Sequence, residues 1–392
     1  MMTATALETT LPARSTGYRM CARCIMDTTD PQITFDAAGV CSHCRTFEET
    51  RLLFSGDAAT RPQRLAAMVD EIKAAGRGRD YDCLIGLSGG VDSTYVAYLV
   101  KQHGLRPLAV HLDNGWDSEL AVKNVENVVK RLDIDLHTHV LDWGQFRDLQ
   151  LSFLRASVPD GEVPTDHAIG AVLLQTATRH GIRFLISGTN VATEGILPAS
   201  WTYGINDWTY IAGVHQRFGS RSLAGFPHYT LYDYGYYVGV RRIRSVRLLD
   251  YVDYNKAEAM RTIERELGWR YYGGKHYESI YTKFFQGYVL PRKFTIDKRR
   301  AHLSTLICSG QMDRGSALEA MQADPYARDE QESDREYVTK KLGISDDEFA
   351  RIMALPPRTY RDYPNSDALR WRLVRLARVG KRLGLIPQRN SL

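Results

Sequence analysis

YDCLIGLSGGVDSTYVAYLVK, residues 81–101, carries three local signals in one segment. A short apolar run, Cys83–Leu87, is broken by Ser88-Gly89-Gly90. Apolar residues then return at helical spacing, at Tyr95, Val96, Leu99 and Val100, and the pattern closes at Gly104. The order is buried strand, glycine turn, helix. Gly89 and Gly90 let the backbone pass close to a ligand, and Ser88, Asp92 and Ser93 place polar groups beside the open N–H groups of the helix start. Such a helix start suits an anion, phosphate above all.

The spacing narrows which phosphate. A Walker A loop needs G-x-x-x-x-G-K-[ST], with a lysine reaching the β and γ groups, and Gly86–Ser93 contains no lysine. γ-Phosphoryl transfer is therefore disfavoured. The run SGGVDS resembles the pyrophosphate loop of the N-type ATP pyrophosphatases, which split ATP into AMP and pyrophosphate while adenylating a carbonyl oxygen. That resemblance implies Ser88, Asp92 and Ser93 as catalytic groups and Gly89, Gly90 and Val91 as pyrophosphate contacts. The plainer reading is a strand–turn–helix with a tight turn and no ligand.

The chain has 392 residues, enough for two or three domains with their own cores. With 44% hydrophobic and 25% charged residues, and no apolar run approaching the roughly 18 residues of a membrane span, it reads as a cytoplasmic globular protein. Residues 1–18 lack the apolar core of a signal peptide and read as a disordered leader. A net charge of +5 is mild for this length and suits a phosphate-rich ligand as well as nucleic acid. Of six cysteines, four form Cys21-x-x-Cys24 and Cys41-x-x-Cys44. Two such knuckles match a zinc ribbon over residues 19–50, with four thiolates closing a tetrahedral shell. A redox pair and an iron–sulfur centre are the alternatives. His43 lies inside the second knuckle and reads as a solvent-facing neighbour, while Cys83 and Cys308 are left over.

Downstream, strands are expected at Leu108–Leu112, Leu136–Leu141 and Arg183–Ile186, with helices at Ser118–Leu132, Phe146–Ala156 and Asp166–His180 between them. This rhythm predicts an α/β fold, a doubly wound and mostly parallel sheet, over residues 51–268. In such sheets ligands sit beyond the carboxyl ends of the strands. Ser88–Ser93, Asp113 with Asn114, and Gly188-Thr189-Asn190 all fall there, and His111, near the end of the second strand, is a further nucleotide-binding candidate. Asp113 suits a ribose hydroxyl, a magnesium ion or the cap of the next helix. Residues 188–229 are rich in Gly, Trp and Tyr without periodicity, so they are expected to line a pocket, with Glu194 as a polar candidate. Val240–Leu249 is expected as a fifth strand and Asn255–Leu267 as a helix.

From Trp269 to the end a helical, basic region is expected. Lys275, His276, Lys293, Lys298, Arg299 and Arg300 are interleaved with aromatic residues, a mixture suited to a diphosphate or nucleobase. Solvated helix faces are the alternative. Leu369–Leu385 reads as a basic amphipathic helix that packs on its own domain, lies on an anionic membrane surface, docks a partner or touches nucleic acid.

Taken together, CARCIMDTTDPQITFDAAGVCSHC, GLSGGVDS, HLDNGWDSELAVKNVENVV, VPTDHAI, ISGTNVATEGILPASW and LPRKFTIDKRRAHLSTLICSGQM resemble the N-acetyl sugar amidotransferases of bacterial surface-polysaccharide (LPS O-antigen) biosynthesis. The likeness runs from Cys21 to about Met312. It implies an adenine-nucleotide alpha-hydrolase-like fold, structural zinc, ATP with magnesium, and conversion of the acetamido group of a nucleotide sugar or acidic sugar to an acetamidino group. It also implies ammonia from a glutaminase subunit, with a cyclase-like subunit beside it. Asp166 and His167 of VPTDHAI, with Lys275, are implied as substrate contacts. Neither Cys83 in its apolar strand nor Cys308 is placed as a glutaminase nucleophile, and nucleic acid is not an expected partner. The competing readings are a tRNA thiolation enzyme, an amidotransferase acting on another carbonyl in natural-product biosynthesis, and an inert nucleotide fold serving as a binding module.

Overall fold

The computed structural model describes residues 17–275 and 277–382, with side chains described as far as Arg375. The expected leader therefore lies almost wholly outside the described residues, as does His276. Five parallel strands form one sheet in the order β3-β2-β1-β4-β5: β1 (Cys83–Gly86), β2 (Pro107–Asp113), β3 (Asp135–Val140), β4 (Phe184–Ser187) and β5 (Arg244–Arg247). The order reverses at β1. Its two neighbours, β2 and β4, diverge there and leave the crevice in which open α/β sheets bind ligands.

Strand period sorts β1 onto two faces. Cys83 and Ile85 pack with Val96 and Val100 of α3 (Val91–Gln102), Val69 and Ile72 of α2 (Arg61–Gly76), and Val125 and Val128 of α4 (Glu119–Leu132). Leu84 points the other way, with Leu108 and Val110 of β2, onto Ala171, Val172 and Leu174 of α6 (Val163–Arg179). Helices thus cover both faces, so the doubly wound expectation holds. Each buried Val or Leu contributes about 1.5–3 kcal/mol, which makes a slip of one residue prohibitive.

A third cluster is the largest. It joins the four paired cysteines and Phe47 of α1 (Ser42–Phe54) to Phe146, Leu149 and Phe153 of α5 (Trp143–Ala156) and to Ala301, Cys308, Val338 and Phe349 of the carboxyl-terminal helices. Two expectations change in detail. The fifth strand is only Arg244–Arg247, because Tyr236–Val240 winds into a wide helical turn and Leu248–Tyr251 into a tight one. The aromatic, basic stretch after Trp269 includes a wide turn at Phe285–Phe294, with Pro291 inside, where proline's missing N–H interrupts an α-helical ladder. No helix among the described residues is long and apolar enough to cross a membrane.

Candidate active site

The glycine turn after β1 sits where the sheet order reverses. Gly89 has φ +80°, and a Cβ there would lie 2.6 Å from the carbonyl oxygen of Ala121 in α4, so only glycine fits. Its own carbonyl accepts a hydrogen bond from Trp269 Nε1 at 2.8 Å. α4 is capped by Ser118 and α5 by Asp142, but the N-cap of α3 is Gly90, which has no side chain to cap the N–H groups; the Val91 N–H meets the Tyr272 hydroxyl instead. The first turn of α3 therefore keeps further donors and the positive end of its dipole for a ligand. Ser88 and Ser93 face each other across the turn, 3.1 Å between hydroxyl oxygens, and Gly90 donates its N–H to Ser88 Oγ at 3.3 Å.

A cavity of about 200 Å³ opens over this turn. Ser88, Gly90, Val91, Asp92, Ser93, Gly188, Thr189, Glu194 and Lys275 line it, all anticipated from the sequence. Lys256 and Glu278 line it as well and were not anticipated. Lys275 pairs with Glu194 at 3.2 Å and donates to the Thr193 carbonyl at 3.3 Å. Burial and the Glu194 carboxylate push the pKa of Asp92 up, against the pull of Lys275, and Tyr254 donates its hydroxyl to it. Burial lowers the pKa of Lys256, with Asp92 opposing. The two lysines and the open helix start make a cradle for a compact polyanion.

Ser88, Gly188 and Glu278 also line a second, larger cavity of about 490 Å³. Leu84, Val110, Leu173 and Leu185 give its lining an apolar part, and His111, Asp117, Asp160, Glu162, Asp166 and Lys298 a polar one. His111 donates from Nδ1 to the Leu87 carbonyl at 2.8 Å and faces Asp117 through Nε2 at 3.2 Å. Burial disfavours its charged form, yet the Asp117 carboxylate outweighs this and holds its pKa up. Burial, with Asp160 and Glu162 nearby, pushes Asp166 up to about 8. A carboxyl so placed exchanges a proton near neutral pH.

Other anticipated residues lie elsewhere. His167 is fully buried: Nδ1 donates to the Ile205 carbonyl at 2.7 Å, Nε2 accepts from the Tyr229 N–H at 3.3 Å, and its ring stacks on Tyr229 at 4.5 Å. Burial lowers its pKa to about 4. Asn190 is equally buried and caps Val191–Glu194, accepting from Thr193 N at 2.8 Å. Asp113 accepts from Gly115 N at 2.8 Å within its own turn. Lys293 donates to the carbonyls of Ile352, Met353 and Leu355, closing a helix end; Arg299 pairs with Asp297, and Arg300 donates to the Ile25 carbonyl at 2.8 Å. Among the described residues of the basic group after Trp269, only Lys275 and Lys298 line these two cavities. Lys256 and Glu278 gave no sequence signal, being one lysine in an amphipathic helix and one glutamate beside a tyrosine.

The four paired cysteines are buried and their sulfurs lie within 4.8 Å of one another. Cys21–Cys44, Cys24–Cys41 and Cys41–Cys44 are separated by 3.8, 3.7 and 3.7 Å. A tetrahedron with Zn–S bonds of about 2.3 Å has edges of about 3.75 Å, so the set fits one zinc ion. Backbone N–H groups of Arg23 and Cys41 point at Cys21 Sγ, at 3.3 and 3.2 Å, as a thiolate requires. One expectation is corrected here: His43 does not face solvent but pairs with buried Asp30 at 2.7 Å. Cys308, left over in the sequence, brings its sulfur to 3.6 Å from that of Cys44.

Two stretches of the chain match known families. Residues 278–378 match the family described as LPS biosynthesis protein WbpG-like, C-terminal domain, and residues 65–146 match the NAD synthase family. A curated tRNA(Ile)-lysidine synthase of Chlamydia pneumoniae is 44% identical over 50 residues, 12% of this chain and 16% of the relative's length. The chain thus spans about a sixth of that relative. Among solved structures, an NMN synthetase from Francisella tularensis aligns at 18% identity over 35% of this chain and 56% of its own, with a TM-score of 0.27. An NH3-dependent NAD synthetase from Campylobacter jejuni aligns at 15% identity over 53% and 93%, with a TM-score of 0.29.

Proposed function

We propose that this chain, a pyrophosphate-loop domain of the NAD-synthase kind joined to a WbpG-like C-terminal domain, is an ATP-dependent amidotransferase acting on an N-acetylated sugar of surface-polysaccharide synthesis. The observation that carries the reading is the junction of the two cavities at Ser88, Gly188 and Glu278. A nucleotide whose outer phosphates lie over the turn presents its α-phosphorus at that junction, to an acceptor held in the larger cavity.

An amide carbonyl is a poor electrophile with a poor leaving group. Its oxygen attacks the α-phosphorus, pyrophosphate departs onto the first turn of α3, and the amide becomes an adenylated imidate. Ammonia then adds to that carbon and AMP leaves, giving the amidine. The open N–H groups of α3, with Lys256 and Lys275, take up the charge of the leaving pyrophosphate; one such donor is worth about 3 kcal/mol of barrier. Asp166 accepts the proton shed by the adding ammonia. The carboxylates of Asp92 and Glu194 are the donor type that magnesium shares with phosphate, and they would hold that ion, whose chemistry is neutralisation of the pyrophosphate.

Among the described residues no cysteine lines either cavity, which favours amidation over thiolation. Ammonia would come from a separate glutaminase. The test incubates the purified chain with ATP, ammonium and a panel of N-acetylated nucleotide sugars, following pyrophosphate and the mass of the sugar. AMP, pyrophosphate and a sugar with one oxygen replaced by NH are expected. Cleavage of ATP to ADP, or robust turnover on glutamine by the single chain, would refute the reading.

A further inference from the structure

The corner that enters the Lys256–Leu267 helix supplies the nucleotide cavity with two groups. Tyr254 is buried, its ring tilted against Tyr95 at 5.7 Å, and it donates its hydroxyl to the Asp92 carboxylate in the first turn of α3. Lys256, two residues on, lines the cavity over the glycine turn. Asn255 between them is the N-cap of the helix and accepts from the Glu258 N–H at 3.1 Å. A shift of this corner moves both the hydroxyl that orients Asp92 and the ammonium that meets phosphate.

A side chain from the C-terminal region holds the corner's main chain. Gln311 Nε2 donates to the Tyr254 carbonyl at 3.2 Å, and Gln311 Oε1 accepts from the Lys256 N–H at 2.9 Å. The Lys256 N–H is one of the donors that a helix start leaves open, and the Asn255 cap, spent on Glu258, does not reach it. One planar amide thus grips the residues on either side of the cap. The grip needs a donor and an acceptor on the same group, which a carboxylate or an apolar side chain does not offer. Gln311 is itself held firmly. Gly310, at φ +75°, ends the Lys298–Cys308 helix, and the Gln311 N–H returns to the Leu306 carbonyl at 2.9 Å. Gln311 does not line either active-site cavity, so it reaches the ligand through other residues.

We propose that Gln311 is a positioning residue of the pyrophosphate cradle: by bridging Tyr254 and Lys256 it sets both Asp92 and the Lys256 ammonium, so that the WbpG-like region completes the nucleotide site. The inference rests on the pyrophosphate-loop part of the proposed function and is independent of which acceptor is used. The Lys298–Cys308 helix, whose other end carries Lys298 into the larger cavity, is then the strut that fixes the cradle from outside the sheet.

The test titrates the full chain with magnesium and inorganic pyrophosphate by calorimetry, at a temperature where circular dichroism shows each variant folded, and measures KM values beside it. Gln311→Met keeps the length and loses both bonds; about a tenfold loss of pyrophosphate affinity and a matching rise in the KM for ATP are expected, with the KM for ammonium within about twofold of wild type. Gln311→Glu keeps the acceptor for Lys256 but sets an oxygen against the Tyr254 carbonyl, so its affinity should fall between the two, and it carries the test if Gln311→Met does not fold. In a Lys256→Met background, Gln311→Met should cost about threefold or less, because part of its effect passes through Lys256. A side chain that merely stabilises the fold lowers the melting temperature and leaves the affinity of the folded chain unchanged. Pyrophosphate binding within about twofold of wild type in folded Gln311→Met or Gln311→Glu, or full multiplication of the losses in the double variant, overturns the positioning role. A wild-type chain that binds no pyrophosphate overturns the cradle itself, and the role with it.

Discussion

Replacing Gly89 by alanine separates the geometry of the turn from its composition. A Cβ at residue 89 would stand 2.6 Å from the Ala121 carbonyl oxygen and 3.3 Å from Val125 Cγ2, at φ +80°. The left-handed backbone costs an L-residue about 1–2 kcal/mol. The backbone contact cannot be relieved by a rotamer change, so the turn must lift away from α4 and its N–H groups lose their aim. Losing one such donor costs about 3 kcal/mol in the barrier, a loss of roughly a hundredfold in kcat. Two controls apportion the effect. Gly225 has φ +85° with nothing within 4 Å of a new Cβ, so Gly225→Ala carries the strain alone and leaves turnover intact. At Gly90 φ is −76°, and the nearest atoms to a new Cβ are the side-chain tips of Ser88, Tyr272 and Glu278 at 3.2–3.4 Å, so Gly90→Ala is expected to cost much less than Gly89→Ala. The assay is ammonium-dependent pyrophosphate release with thermal melting alongside. If Gly89→Ala turns over within about twofold of wild type, the turn is not the pyrophosphate cradle.

Asp166→Asn tests the raised carboxyl. Its pKa moves from 3.8 to about 8 on folding, so between those values the folded state binds the extra proton and the stability Asp166 contributes falls as pH rises. The asparagine variant should therefore gain in melting temperature relative to wild type from pH 4 to 8, and the limb of the rate profile that rises through about pH 8 should vanish; parallel melting curves would refute the assignment. Lys256→Met should raise the KM for ATP and weaken pyrophosphate inhibition about tenfold or more, measured in steady-state kinetics, while the variant remains folded by circular dichroism. Metal analysis should find one zinc per chain. Removing it with a strong chelator, or by Cys41→Ser, should lower the melting temperature and also raise the KM of the sugar. The reason is that the Lys298–Cys308 helix carries Lys298 into the active-site cavity at one end and lays Cys308 against the metal knuckle at the other, with Ser304 accepting from the Ile25 N–H at 3.2 Å between them.

Sequence legibility followed the distance over which each feature is assembled. The glycine turn, the uncapped start of α3 and the two cysteine knuckles are each built by neighbours in the chain, so spacing alone declared them. The parallel sheet was legible as well, because strand and helix periods alternate along the chain. The anticipated residues that lie outside the two cavities share one cause. His167 and Asn190 are polar and stand in promising motifs, yet burial with satisfied hydrogen bonds makes them supports of the framework. Arg299, Arg300 and Lys293 belong to a basic run whose charges are spent on carboxylates and helix carbonyls.

The linear order of residues by itself determined the glycine turn with its open helix start, the four-cysteine set and the class of fold, since hydrogen-bond donors and thiols a few residues apart have almost no freedom to be elsewhere. Only the packed chain decided which distant charges reach the cradle. Lys256 and Glu278 arrive from more than 150 residues downstream, and Cys308 closes on Cys44 across 264 residues, because helices carried by a shared apolar core are set down wherever their buried faces fit. A side chain's charge is local; its neighbours are a property of the whole fold.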